Sequence, residues 1–198
     1  MKFRAPPDSS KMKELILHVA EMSRSDEQFG SVKLNKILFY ADFISYLKRG
    51  KSISGQEYFA LDEGPAPHLM KPIKLEMESS GDIAIKKEMM FGLPNPRETV
   101  IALRPPDYTK LDDAEGIAIV DLVISKLKDK NGKQASELSH EFVGWKIAYS
   151  KGRKTKIKYA MARFDLGAFF GMEVPELPEN LAEYGKRLYQ KLFSPRST

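Results

Sequence analysis

The run VKLNKILFYADFISYLKR, Val32 to Arg49, decides how this chain folds. It contains no Gly or Pro. Leu34, Ile37, Leu38, Ala41, Ile44 and Leu47 recur at the spacing of one helical face. A second apolar row runs through Val32, Phe39, Phe43 and Tyr46. At about 100° per residue the two rows leave only narrow polar gaps. A helix apolar nearly all round is buried in a core or a membrane. Lys33, Asn35, Lys36 and Asp42 make this one too polar to span a bilayer. The stretch therefore predicts the central helix of a soluble domain, with Gly50 closing it as a C-cap.

Length and composition are compatible with that core. The chain has 198 residues, 42% hydrophobic and 30% charged, which argues against global disorder. It fits one domain over 1–198 that buries its core without covalent staples. There is no cysteine, so disulfides and thiolate metal sites are excluded. MKFRAPPDSSK lacks an apolar h-region and no segment reaches transmembrane length, so neither signal peptide nor membrane contact is expected and the cytoplasm is the default location. The net charge of +5 permits an anionic partner without demanding one.

Outward from the central helix, Met12, Leu15, Ile16, Val19 and Met22 give a first helix starting near Lys11, with Lys13, Glu14, His18 and Glu21 mostly outside its buried stripe. Ser31 is a plausible cap for the central helix. Gln56–Leu61 reads as helix or extended chain, and Gly64-Pro65-Ala66-Pro67 as a stiff elbow leading into a helix from Pro67 to Met77. Alternation from Asp82 and the β-branched run Thr99–Leu103 predict a small β-hairpin over about 82–104. Leu111–Lys128 reads as one helix with acids in its first turns. Gln134–Phe142 reads as a short helix extended by Trp145–Tyr149, Lys151–Lys158 as a basic loop, and Asn180–Phe193 as a last amphipathic helix. Residues 1–9 and 194–198 should fray. The fold class is α+β, mainly α.

Catalytic signatures are missing. The histidines at 18, 68 and 140 have no metal-binding spacing, and no phosphate-loop, dinucleotide or nucleophile-elbow pattern occurs. Ser139-His140-Glu141 cannot form a triad by itself, because neighbours on a helix point about 100° apart. No metal or other cofactor is called for. The densest basic stretch holds Lys146, Lys151, Arg153, Lys154, Lys156 and Lys158, with no acid between Glu141 and Asp165 and with Tyr149 and Tyr159 flanking it. Backbone contacts with base stacking are one use of such a stretch; a solvated face is the ordinary one.

The polar residues of the central helix are the sharper signal. Asn35 and Asp42, seven apart, project within about 20° of each other, and Lys33, Lys36 and Tyr40 crowd one side. Polar groups on a buried helix must find partners. They either latch loop backbone such as the Gly64-Pro65 elbow, the favoured reading, or border a binding groove.

KLNKILFYADF, then SGQEYFALDEGPAP, then ASELSHEFVGW resemble, in that order and spacing, the Panacea domain family, which includes the SocA-like antitoxins and phage-associated proteins. The likeness covers about residues 30–150 and rests on Lys33, Leu34, Lys36, Ile37, Leu38, Phe39, Tyr40, Ala41, Gly64-Pro65, Ser139-His140 and Trp145. It implies a mostly helical, non-enzymatic module that neutralises a cognate toxin by direct contact, in one member as an adaptor delivering the toxin to a protease. The candidate motif or partner-facing residues are thus Lys33, Asn35, Lys36, Tyr40, Asp42, Tyr58, Gly64, Pro65, His140 and Trp145. The alternative is a nucleic-acid-binding regulator using Lys151, Arg153, Lys154, Lys156 and Lys158 of the basic 146–158 segment.

Overall fold

The computed structural model describes residues 9–89 and 95–164. Residues 1–8 of the expected N-terminal arm, the helix expected at 180–193 and the 194–198 tail lie outside the described residues, and Ser9, expected to fray, opens the first helix. The described part is mainly helical with two small antiparallel sheets.

The central helix is α2, Ser31–Arg49. It packs on α1 (Ser9–Met22), α5 (Ala114–Leu127), α6 (Gly132–His140), β2 (Gly64–Pro67) and β4 (Arg97–Ala102). Neighbours on so many sides explain its double apolar row. Lys33, Lys36 and Asp42 are buried with Leu34, Phe39 and Phe43. Gly50 caps it at φ 72°, donating its N–H to the Tyr46 carbonyl. The N-cap is Gly30 rather than Ser31, whose hydroxyl accepts a hydrogen bond from Lys74 Nζ at 3.0 Å.

Further expectations are corrected. First, Glu14 and His18 of α1 are buried and Met22 is exposed. Arg104 and the Asp107 amide reach Glu14, and Tyr108 and Asp121 reach His18, so that side of α1 is covered too. Second, the helix expected over 111–128 is two helices, α4 (Tyr108–Leu111) and α5. Asp112 turns left-handed at φ 40° between them. Asp107 and Asp113 cap them by accepting from the Thr109 and Gly116 amides. Third, of the two readings of Gln56–Leu61 the extended one holds, and Gly64–Pro67 is a strand rather than an elbow. β1 (Tyr58–Leu61) and β2 form an antiparallel hairpin in which Leu61 faces Gly64. The prolines of β2 fit because it is an edge strand, where missing N–H donors break no ladder. With Pro67 held in β2, the next helix, α3, runs Met70–Ser79. Fourth, the basic segment is not all loop: Thr155–Ile157 is β5, paired with the other edge of β1.

The second hairpin stands where the alternation puts it, as β3 (Ile83–Glu88) and β4 with Ile83 opposite Ala102. α6 starts at a capping box between Asn131 and Gln134, and α7 (Val143–Ser150) is a separate helix after a break at Glu141-Phe142. A 3-10 turn at Tyr159–Met161 follows β5.

Candidate functional site

The tip of the β1–β2 hairpin is held by side chains from three helices. Trp145 Nε1 on α7 donates to the Leu61 carbonyl at 3.2 Å. The His140 ring on α6 donates to the Asp62 carbonyl. Ser136 Oγ on α6 donates to the Glu63 carbonyl at 2.7 Å. Lys36 Nζ on α2 donates to the Pro65 carbonyl at 3.0 Å. Carbonyls 61, 62, 63 and 65 are thus each matched to a side chain, as backbone groups withdrawn from water require. Gly64 makes the close approach possible. Its φ is 90°, and a Cβ there would collide with Ser139 Oγ and lie 2.9 Å from Lys36 Cε.

The electrostatics follow from burial. Lys36 is 1% exposed, and desolvation pulls its pKa down to about 7 against the opposing pull of Glu63. His140 is shifted down by burial and then by Lys36. Its Nε2 is buried without a partner, which leaves Nδ1 to make the bond to Asp62. The ring lies flat on Trp145, centroids 4.0 Å apart and planes 21° apart, and Trp145 lies on Tyr149 at 4.7 Å and 18°.

A second cluster surrounds Asp42. One carboxylate oxygen accepts the Ile53 and Ser54 amides, both at 2.8 Å, and the other accepts the Ser54 hydroxyl and Tyr58 Oη, the latter at 2.7 Å. Burial raises the pKa values of Asp42 and Tyr58. Tyr159 comes within 3.5 Å of the same carboxylate, but its hydroxyl donates to the Gln56 carbonyl at 2.6 Å. Lys33 works elsewhere, joining Asp26 at 2.5 Å to the Lys128 carbonyl at 2.8 Å. Tyr40 is buried against Phe39. Asn35 Oδ1 is buried with no partner.

Lys36, Gly64, Pro65, His140 and Trp145 therefore meet at one place, and Asp42 and Tyr58 at another. Lys33 binds Asp26 and the Lys128 carbonyl instead. No hydrogen bond links Asp42 to His140, Asp62 or Glu63 among the described residues. Sequence reasoning passed over Ser136 and Ser54, and it read Tyr159 as an aromatic flanking the basic stretch rather than as a neighbour of Asp42. Helix α6 carried a signal: Ser136, Ser139 and His140 share one helical face.

Lys151, Arg153, Lys154, Lys156 and Lys158 are all exposed. Acids from elsewhere in the chain meet part of the run. Arg153 lies 3.0 Å from Asp62, Lys156 pairs with Glu57, and Lys146 pairs with Glu141 at 2.8 Å. Among the described residues no group of three or more His, Asp or Glu could hold a metal ion, and no helix is long and apolar enough to cross a membrane.

Fold and site together define a mainly α domain whose buried polar side chains fix a β-hairpin against a central helix. The family model described as "Antitoxin SocA-like, Panacea domain" matches residues 34–146, more than half of the chain, and the chain belongs to that family. No curated protein matches it.

Proposed function

We propose that this chain is an antitoxin that neutralises a cognate toxin protein by direct contact. Family membership carries the reading. The clamp supports a division of labour within it. Lys36, Ser136, His140 and Trp145 are engaged by hairpin carbonyls, so they act as latches that set the fold. Contact with the toxin falls to exposed residues around that frame. The module works by binding rather than by chemistry. A finer form of the same reading makes the chain an adaptor that hands its toxin to a protease.

The test is co-expression. The reading frames beside the gene are induced one at a time with and without this chain. One of them should arrest growth alone and be tolerated with the chain, and the two products should co-purify. If no neighbouring product is toxic, or a toxic one is not relieved, the reading fails. Toxin half-life separates the two forms: adaptor action shortens it in the presence of the chain, and simple sequestration does not.

A further inference from the structure

The clamp ends in an open aromatic face. His140, Trp145 and Tyr149 stack nearly parallel, and Tyr149 is the outer ring. It is 38% exposed, and no other ring packs on it among the described residues. Its hydroxyl donates to Asp62 Oδ1 at 2.9 Å, so the ring is held in place before anything binds. Arg153 grips the other oxygen of that carboxylate at 3.0 Å, which sets a guanidinium beside the ring. Lys151, Lys154 and Lys158 follow α7 and border β5. They are exposed, and no acid pairs with them among the described residues. Tyr159, the other aromatic of the segment, is turned inward against Phe43 and Tyr46.

We propose that Tyr149 is a stacking platform for one base of a single-stranded nucleic acid, with Lys151, Lys154 and Lys158 meeting its phosphates. Both halves of the chemistry are needed: a fixed π-face takes any base, and cations track the backbone. An acidic peptide would use the lysines and leave the ring idle. A duplex keeps its bases stacked within itself and could use only the lysines. This activity is independent of toxin neutralisation and does not rest on it.

Trp145 is the single tryptophan of the chain and lies directly behind Tyr149, so it reports on the platform without a label. The full chain is titrated at about 50 mM salt with a 12-nucleotide oligouridylate and oligoadenylate, following Trp145 emission and the anisotropy of a fluorescein-tagged strand. Both probes should saturate together. Three phosphate contacts give a log–log salt slope of about −2, so raising salt to about 200 mM weakens binding roughly fifteenfold. Tyr149→Ala should cost about tenfold, the worth of one stacked base, while Tyr149→Phe keeps the ring and the binding. Lys151→Gln with Lys154→Gln should flatten the slope and leave far-ultraviolet dichroism unchanged. The proposal is overturned by absent binding at low salt, by equal binding of Tyr149→Ala, or by polyglutamate or duplex displacing the strand at matched charge.

Discussion

Lys36 Nζ donates to the Pro65 carbonyl at 3.0 Å, joining the central helix to a strand that begins 28 residues later, with both groups shielded from water. The bond has a pH signature. The folded-state pKa of Lys36 is about 7, against 10.5 for the free side chain. Between these values the unfolded chain holds more protons, so stability rises as pH is raised through the window. From pH 7 to pH 9 the gain should be about 2 kcal/mol. Urea unfolding of wild type and Lys36→Met across that range tests it. The variant, which leaves the Pro65 carbonyl buried and unmatched, should be less stable by about 1–3 kcal/mol at pH 9. It should also lack the rise. Equal slopes in the two proteins would mean that Lys36 is charged and solvated in the fold.

Gly64→Ala should be among the most damaging single-methyl changes in the chain. The residue sits at φ 90°, and the new Cβ would meet Ser139 Oγ and Lys36 Cε. Backbone strain and overpacking together cost about 2–5 kcal/mol. Adding Ser139→Ala should recover part of the loss, since it removes one collision and leaves the backbone strain. Denaturation midpoints of the two single variants and the double variant measure this, and strictly additive losses would place Ser139 outside the contact.

Asp42→Asn keeps an acceptor for the Ile53 and Ser54 amides but turns an amine toward Ser54 Oγ and Tyr58 Oη. A hydrogen bond to a charged group contributes about 1.5–3 kcal/mol, so a loss of about 2 kcal/mol is expected, with Tyr58→Phe costing somewhat less. Because the folded-state pKa of Asp42 is raised, its titration favours the fold below the ordinary carboxyl range. That contribution is lost as pH rises through the folded value. Asp42→Asn should remove that component of the acid-side profile.

The central helix was legible because its signal is local: spacing inside one unbroken run specifies burial on both faces. The second hairpin was legible for the same reason, through alternation. β1 and β2 were not. Gly-Pro-Ala-Pro has no alternation to read, and its strand character depends on β1, itself paired with Thr155–Ile157 from much further along. Glu14 and His18 looked solvent-facing because the groups that bury them, Arg104 and Asp121, lie 90 and 103 residues away. Of the candidate site, the bond from Lys36 to backbone at Pro65 followed from the rule that buried polar groups need partners. The partner of each remaining polar residue was set by tertiary packing that no local pattern encodes.

Arg104 should be essential where sequence alone shows a surface arginine. It makes a two-pronged contact with Glu14, both bonds at 2.9 Å, and also reaches Asp82 at 2.6 Å. Glu14 is 2% exposed, and its pKa is lowered although burial, the largest single influence, acts to raise it; the Arg104 and Asp107 bonds and nearby cations together outweigh burial. Arg104→Ala leaves that carboxylate buried and poorly compensated, which costs about 3 kcal/mol. Arg104→Lys restores charge without the fork and should recover less than half. In wild type, the stability held by Glu14 is present above the ordinary glutamate pKa and lost as pH falls through its folded value. Arg104→Ala should therefore flatten the part of the acid limb that lies below the ordinary glutamate range in unfolding titrations.

His140 and Trp145 should behave as one unit. Their rings lie 4.0 Å apart, and each fixes an adjacent carbonyl of the hairpin tip, Asp62 for His140 and Leu61 for Trp145. Removing either partner frees one carbonyl and also uncovers the other ring, so part of each loss is shared. In a double-mutant cycle with His140→Ala and Trp145→Ala, the double variant should lose about 0.5–1.5 kcal/mol less than the sum of the two single losses. Trp145→Phe sharpens the assignment. It keeps a ring for His140 to lie on but deletes the Nε1 donor, so most of the coupling should survive while the Leu61 carbonyl bond, about 1 kcal/mol, is lost. Amide exchange at the hairpin gives the spatial readout: faster exchange confined to the β1–β2 tip and β5 is expected for all three variants. Uniform acceleration across α2 would instead mean that the pair supports the whole core rather than the hairpin.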